Sequence, residues 1–240
     1  MGRRLNTCVL NVCIKGGGMG LEGEGSTKER LFVAAVKVFA ESGYRGGTVR
    51  EICRGAGAAN VNAVNYYFGG KKKLYALILQ MMFSELGKRF GEKMAEMEGA
   101  SARERLGWFI RVYCALLYSG VPLAAEMVAI FNREMLSPSC LLDEIAENVL
   151  VPQTTVFIGL LRECLGPDVP EERVRFCLAS VVGQMIYFSS AGPVFFRVFP
   201  EHPSLEEVHE AFAEHVERFT FAGLDALIRE FAAEAAADGK

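Results

Sequence analysis

Apolar residues recur at intervals of three and four along most of the chain, the spacing that lays them on one face of an α-helix, and no stretch alternates cleanly enough to demand a sheet. Ser26-Thr27-Lys28-Glu29 has the form of a capping box: the Ser26 hydroxyl can accept a backbone N–H while Glu29 reaches back, so a helix should start there. Leu31, Ala35, Val38 and Phe39 then share a face until Gly43 stops the helix. A second box, Thr48-Val49-Arg50-Glu51, opens a short helix with Val49, Ile52 and Cys53 on one side, broken by Gly55-Ala56-Gly57. A third helix is predicted over 60–68, with Val61, Val64 and Phe68 spaced for burial and Asn62, Asn65 and Tyr66 on other faces. Short helix, glycine turn, short helix is the helix-turn-helix pattern.

Gly69-Gly70 ends that unit, and Lys71-Lys72-Lys73 begins a long helix through Leu74, Leu77, Ile78, Met81 and Met82 towards Glu98. Further helices are predicted over 102–119, 123–135, 141–164, 171–190 and 205–236. The breaks between them fall at Gly120-Val121-Pro122, Ser137-Pro138, Gly166-Pro167 with Pro170, Gly192-Pro193, and Pro200 with Pro203. The expected fold class is therefore all-α, with about nine helices and no internal repeat.

Two segments invite other readings. Residues 1–25 carry two arginines before a partly apolar run, but Asn6 and Asn11 interrupt it and no small-x-small cleavage site follows, so a signal peptide is rejected. The same stretch holds Gly18-x-Gly20-x-x-Gly23, whose dinucleotide-binding use needs a βαβ unit that the helical remainder does not offer. A flexible leader is the expectation for 1–25. Residues 176–196 carry no formal charge over 21 positions, long enough to span a bilayer of about 30 Å. Gln184, several Ser and Gly positions and Pro193 argue instead for a helix buried between subunits, leaving membrane association as a rival.

At 51% hydrophobic and 23% charged, the chain has the composition of a packed globular protein. Cys8, Cys13, Cys53, Cys114, Cys140, Cys164 and Cys177 are odd in number, scattered and without a Cys-x-x-Cys pair, which points to small apolar side chains in a reducing, cytoplasmic compartment. The net charge of -3 hides an asymmetry: residues 26–90 hold eleven Lys/Arg against four Asp/Glu, whereas 91–240 hold twelve against twenty-three. A basic head on an acidic body is what a nucleic-acid-binding protein would present.

The stretch from Thr48 to Leu74, TVREICRGAGAANVNAVNYYFGGKKKL, resembles the DNA-binding domain of the tetracycline-repressor (TetR) family. Thr48, Ile52, Cys53 in place of the usual Ala, Ala56, Gly57, Val64, Tyr66, Tyr67, Phe68, Lys71 and Leu74 carry the likeness, and Asn-Val-x-Ala-Val-Asn-Tyr-Tyr-Phe-Gly-x-Lys is most similar to the CecR branch. The sequence departs from the pattern by an extra turn residue, Ala58 or Ala59, which bears on where the recognition helix starts, and by Asn65 where many members have Tyr. The resemblance implies a helix-turn-helix domain over 26–72 and a helical ligand-binding and dimerisation domain over 73–240. It further implies a homodimeric transcriptional regulator, most often a repressor, on a palindromic double-stranded operator, released by a small-molecule effector.

The residue chemistry agrees. At the start of a recognition helix, Asn60 or Asn62 can pair bidentately with adenine and the Ala63 methyl can touch a thymine methyl; Asn60 can equally serve as a helix cap. Thr48 caps a helix whose free N–H groups can hold a phosphate, and Tyr66, Tyr67, Lys71 and, in many members, the residue at Asn65 would supply backbone contacts. Arg45 and Arg50 are electrostatic candidates. Trp108, Tyr113, Met127, Phe131, Phe157 and Tyr187 are expected to line a pocket for an apolar or aromatic effector. Leu178, Val181, Val182, Met185 and Phe188, with Phe212, Val216, Phe219 and Leu227 of the last helix, are expected at the dimer interface. His202, His209 and His215 lack metal-binding spacing, and neither a Gly-x-Ser-x-Gly elbow nor a phosphate-binding loop is present, so no enzyme, metal or cofactor is expected. The rival to DNA binding is a small-molecule-binding helical dimer without it.

Overall fold

The computed structural model describes residues 26–120 and 123–238; the expected leader with its three-glycine pattern lies outside the described residues. Every regular element among the described residues is helical: α1 (Thr27–Gly46), α2 (Val49–Gly55), α3 (Ala63–Phe68), α4 (Lys71–Glu96), α5 (Ala102–Tyr118), α6 (Ala124–Leu136), α7 (Leu142–Ile145), a π-helical turn (Ala146–Leu150), α8 (Val151–Leu165), α9 (Glu171–Val198) and α10 (Leu205–Asp238). Both predicted capping boxes form: Glu29 and Glu51 accept from the backbone of Ser26 and Thr48 at 2.8 and 2.9 Å, and each hydroxyl accepts in return. Ser101 and Glu104 make a third at the start of α5.

The helices pack into two compact units. The first contains residues 26–89 with 120 and 123–150, the second 90–119 with 151–238. In the first, Leu31, Ala35 and Phe39 of α1, Ile52 of α2, Val64 of α3, Leu74 and Ile78 of α4 and Ile130 of α6 are removed from water in one core. In the second, Leu106, Ile110 and Cys114 of α5 meet Leu161 of α8, Met185 of α9 and Val216 of α10. Among the described residues all cysteines are free thiols.

Four helix boundaries differ from expectation. The first helix does not end at Gly43 but kinks there and continues to Gly46. The third helix starts at Ala63 rather than at residue 60. The predicted helix 141–164 is broken into α7, the π-helical turn and α8, because Pro152 has no N–H for the carbonyl of Asn148 and the wider turn absorbs the missing bond. Conversely, α9 does not stop at Gly192-Pro193 but runs through Pro193 to Val198. The Ser189 and Ser190 hydroxyls donate to carbonyls three residues back, at 2.6 and 3.2 Å. Phe195 and Phe196, beyond the proline, pack on Phe188 at 4.8 and 6.2 Å, which keeps the last turns on the same face.

Candidate nucleic-acid interface

The geometry of the first unit is set by the connection between α2 and α3. Thr48 fixes the start of α2, and Arg30 of α1 donates from Nε to the Ala56 carbonyl at its end, 3.1 Å away. Gly57 then turns the chain with φ of 62°, a conformation that a Cβ would strain. Ala58 donates back to the Cys53 carbonyl at 2.9 Å and packs against the core, so the turn is longer than a minimal one and α3 begins late. Residues 60–62 form an Asn-stabilised turn before it: the Asn62 N–H donates to Asn60 Oδ1 at 2.8 Å and the Ala63 N–H to the Asn60 carbonyl at 3.0 Å.

Residues 60–62 thus lie in a turn and not in the helix, while Val64 is buried and Asn65 and Tyr66 are exposed as expected. Val61, spaced for burial in the sequence, is 51% exposed, while Ala63, assigned a contact to a base methyl, is 8% exposed and belongs to the core. Asn60, Asn62 and Asn65 are exposed, Tyr66 and Tyr67 are exposed with their rings edge to face at 4.9 Å, and Thr48 and Arg50 are exposed at the start of α2. Lys28, Arg45, Arg54, Lys72 and Lys73 are also exposed on the described part of this unit, which gives it the basic surface that the charge count anticipated.

Lys71 differs from these lysines. Its ammonium lies 4.8 Å from the Tyr44 ring centroid and 3.5 Å from the Arg45 carbonyl, a half-buried seat in which desolvation lowers its pKa and the nearby Glu51 opposes the shift. Glu51 is itself held below the usual carboxylate range, first by the Thr48 side chain and then by the Thr48 backbone N–H. Such a surface offers amide groups to base edges, hydroxyls and cations to phosphates, and one apolar side chain, Val61, among them.

The six residues expected to line a pocket are divided between the two units. Met127 and Phe131 belong to the first unit's core. Trp108, Tyr113 and Phe157 belong to the second, joined by rings the sequence reading passed over: Phe109 stacks on Phe157 at 4.5 Å and on Tyr113 at 5.7 Å, and Phe90 contacts both Phe109 and Trp108. Tyr187 is 49% exposed. Burial pushes the Tyr113 hydroxyl up to about 12. Phe109 carried an available signal, since it lies four residues before Tyr113 and so shares its helix face; Phe90, eighteen residues before Trp108, carried none of that kind.

The expected interface residues divide in the same manner. Val181, Met185 and Val216 are buried inside their own unit and are core; Leu178, Val182, Phe188, Phe212 and Leu227 are half-buried at its edge, and Phe219 is 62% exposed. The open apolar face of α9 is carried by Phe176, Tyr187, Val194 and Val198, which the sequence reading did not single out apart from Tyr187. This helix is the one among the described residues that is long and apolar enough to cross a membrane. No group of His, Cys, Asp and Glu among the described residues has the arrangement of a metal site.

Comparison with known proteins bears on both units. A family described as the C-terminal domain of the HTH-type transcriptional dual regulator CecR matches residues 102–224, and the TetR family of bacterial regulatory proteins matches residues 31–78. The dual regulator CecR of Shigella flexneri is 28% identical over 179 residues, covering 71% of this chain and 78% of that protein. The probable transcriptional regulator YttP of Bacillus subtilis is 27% identical over 138 residues, covering 58% of this chain and 64% of that protein. Among solved structures, FadR from Bacillus subtilis in complex with stearoyl-CoA has a TM-score of 0.55 at 19% identity, over 78% of this chain and 96% of that one. The ketosteroid regulator KstR2 of Mycobacterium tuberculosis has a TM-score of 0.56 at 20% identity, over 81% and 95%. At those identities the structural likeness concerns the fold.

Proposed function

This chain belongs to the CecR family within the TetR-type transcriptional regulators, and we propose that it works in the cytoplasm as a ligand-responsive repressor, binding a palindromic operator as a homodimer. The observation that carries the reading is the exposed row on and before α3, Val61, Asn62, Asn65, Tyr66 and Tyr67, together with the exposed Thr48 and Arg50 at the start of α2 and the half-buried Lys71 at the start of α4. Asn62 reads a base edge, Val61 takes the apolar role assigned in sequence to Ala63, and the hydroxyls and cations hold phosphates. Asn60, whose side-chain oxygen is engaged by the Asn62 N–H, shapes the turn.

Two copies joined through the open faces of α9 and α10, with Tyr187 and Phe219 at the seam, would present two heads to successive major grooves about 34–36 Å apart. The linked rings of Phe90, Trp108, Phe109, Tyr113 and Phe157 support an apolar or aromatic effector in the second unit. Its binding favours one of two dimer states, and release from DNA follows from the difference in its affinity for them. The ketosteroid and stearoyl-CoA regulators of the same fold are consistent with an apolar effector. The test is selection from a random duplex library: an inverted repeat with half-sites one helical turn apart is the expected product, and recovery of unrelated sequences would leave the head without a reading function.

A further inference from the structure

We propose that Arg133 and Glu134, adjacent residues of α6 that face no nucleic acid in this reading, are positioning residues for DNA recognition: they clasp the two ends of the helix-turn-helix segment and fix its geometry. The proposal rests on the head being a DNA reader. Its starting point is the composition of the first compact unit, in which α6 packs with the helix-turn-helix although the residues flanking 120–150 in sequence, 90–119 and 151 onwards, belong to the other unit.

Arg133 holds the end of α1. The helix breaks at Gly43, with φ of 67° and ψ of 179°, which takes the amides of Tyr44 and Arg45 out of register with the Ala40 and Glu41 carbonyls. Arg133 supplies the donors instead, Nε to Ala40 O at 2.9 Å and Nη2 to Glu41 O at 2.7 Å, so a two-pronged guanidinium completes a broken helix. A lysine has the charge but not the fork.

Glu134 holds the start of α4. Its side chain is 3% exposed, and its oxygens accept from the Tyr75 hydroxyl and the Ser139 N–H, both at 2.8 Å. A carboxylate removed from water is tolerated here only while both donors are in place. Tyr75 in turn lies against Phe39 and Tyr44, each with ring centroids 5.0 Å apart, and Tyr44 carries the Lys71 ammonium on its face. Lys71 also reaches the Arg45 carbonyl. The chain enters the helix-turn-helix just after Arg45 and leaves it at Lys71, so both ends of the segment are pinned to each other and to α6.

The experiment compares the wild-type full chain with Arg133→Lys, Glu134→Gln, Tyr75→Phe and the double variant Tyr75→Phe/Glu134→Gln. Two readouts are taken: the ratio of affinities for the library-selected duplex and a scrambled duplex, and amide hydrogen exchange over residues 47–70 in the free protein. Arg133→Lys and Glu134→Gln are expected to lower the ratio about tenfold by weakening the selected duplex only. They are also expected to speed exchange over 47–70 while leaving α9 and α10 protected. In the double variant the amide NH2 that Glu134→Gln introduces has no hydroxyl oxygen left to accept from it, so both effects are expected to be larger than in Glu134→Gln alone. Unchanged exchange over 47–70 in folded single variants overturns the proposal whether or not DNA binds, and so does an equal loss on both duplexes. A wild-type ratio of one with faster exchange in the variants would instead count against the DNA-reading function and leave the clasp standing.

Discussion

The backbone N–H of Asn62 donates to Asn60 Oδ1 at 2.8 Å, and that single bond gives two neighbouring, chemically identical side chains different work. Asn60 is engaged in shaping the turn; Asn62 is exposed and its side chain makes no capping hydrogen bond to α3. Asn60→Asp keeps the acceptor and is expected to keep sequence preference. Asn62→Asp replaces a bidentate amide with an acceptor-only group and is expected to lose about 1–3 kcal/mol of discrimination at one base pair of each half-site. Competition between single-base operator variants checks both.

Tyr67 and Lys71 are expected to act on phosphates, not bases. Lys71→Ala reduces the slope of log affinity against log salt by about one per head and, because it also frees the Arg45 carbonyl, weakens the selected duplex more than the scrambled one. Tyr67→Phe weakens all duplexes with the slope unchanged, because no charge is lost. Salt titrations of a specific and a scrambled duplex separate the two.

The capping carboxylates set a pH dependence of known sign. Glu51 and Glu104 have folded pKa values below the usual carboxylate range, chiefly through hydrogen bonds from Thr48 and Ser101. Their stabilisation is present above the unfolded carboxylate pKa and is lost as pH falls through the folded value. Thr48→Ala is expected to melt a few degrees below wild type at neutral pH, with the gap closing on acidification; thermal melts across the acidic range check it.

Exposure separates interface from core in the second unit. Phe219→Asp is expected to yield a folded monomer by sedimentation, since its ring is 62% exposed in the single chain. Val216→Asp, at 1% exposure, places an unpaired charge in the core and is expected to unfold the unit.

Trp108 is the single tryptophan of the chain and sits 5.7 Å from Phe90. Effector binding among these rings is expected to change its fluorescence. Phe109→Ala removes the ring that links Phe90, Tyr113 and Phe157 and is expected to cost about 3 kcal/mol of stability, measured by denaturant titration, along with the effector response.

The all-helical class and the order of the helices were legible because helical periodicity, capping boxes and glycine stops are local signals. Ser26, Thr48, Gly57 and Gly69 act where their chemistry predicts. What misled was the helix boundary: residues 60–62 form a turn and α3 starts at Ala63, so Val61 lies outside the helix and is exposed while Ala63 is in the core. Periodicity also marks apolar faces without saying which partner covers them. Val181, Met185 and Val216 therefore look like interface residues in sequence and are core in the chain, while Phe176 and Val194 are open. The contacts of Arg133 with Ala40 and Glu41 and of Glu134 with Tyr75 join positions more than fifty residues apart, a relation no local pattern carries.

The central claim, that the head reads DNA sequence, is tested most directly by measuring the affinity of the purified chain for duplex DNA from upstream of its own gene and for a scrambled duplex of the same length, at about 50 and 200 mM salt. A preference for the upstream duplex that persists at the higher salt is the predicted result. Equal binding to both duplexes, erased by the added salt, would contradict the claim and reduce the basic head to an electrostatic surface.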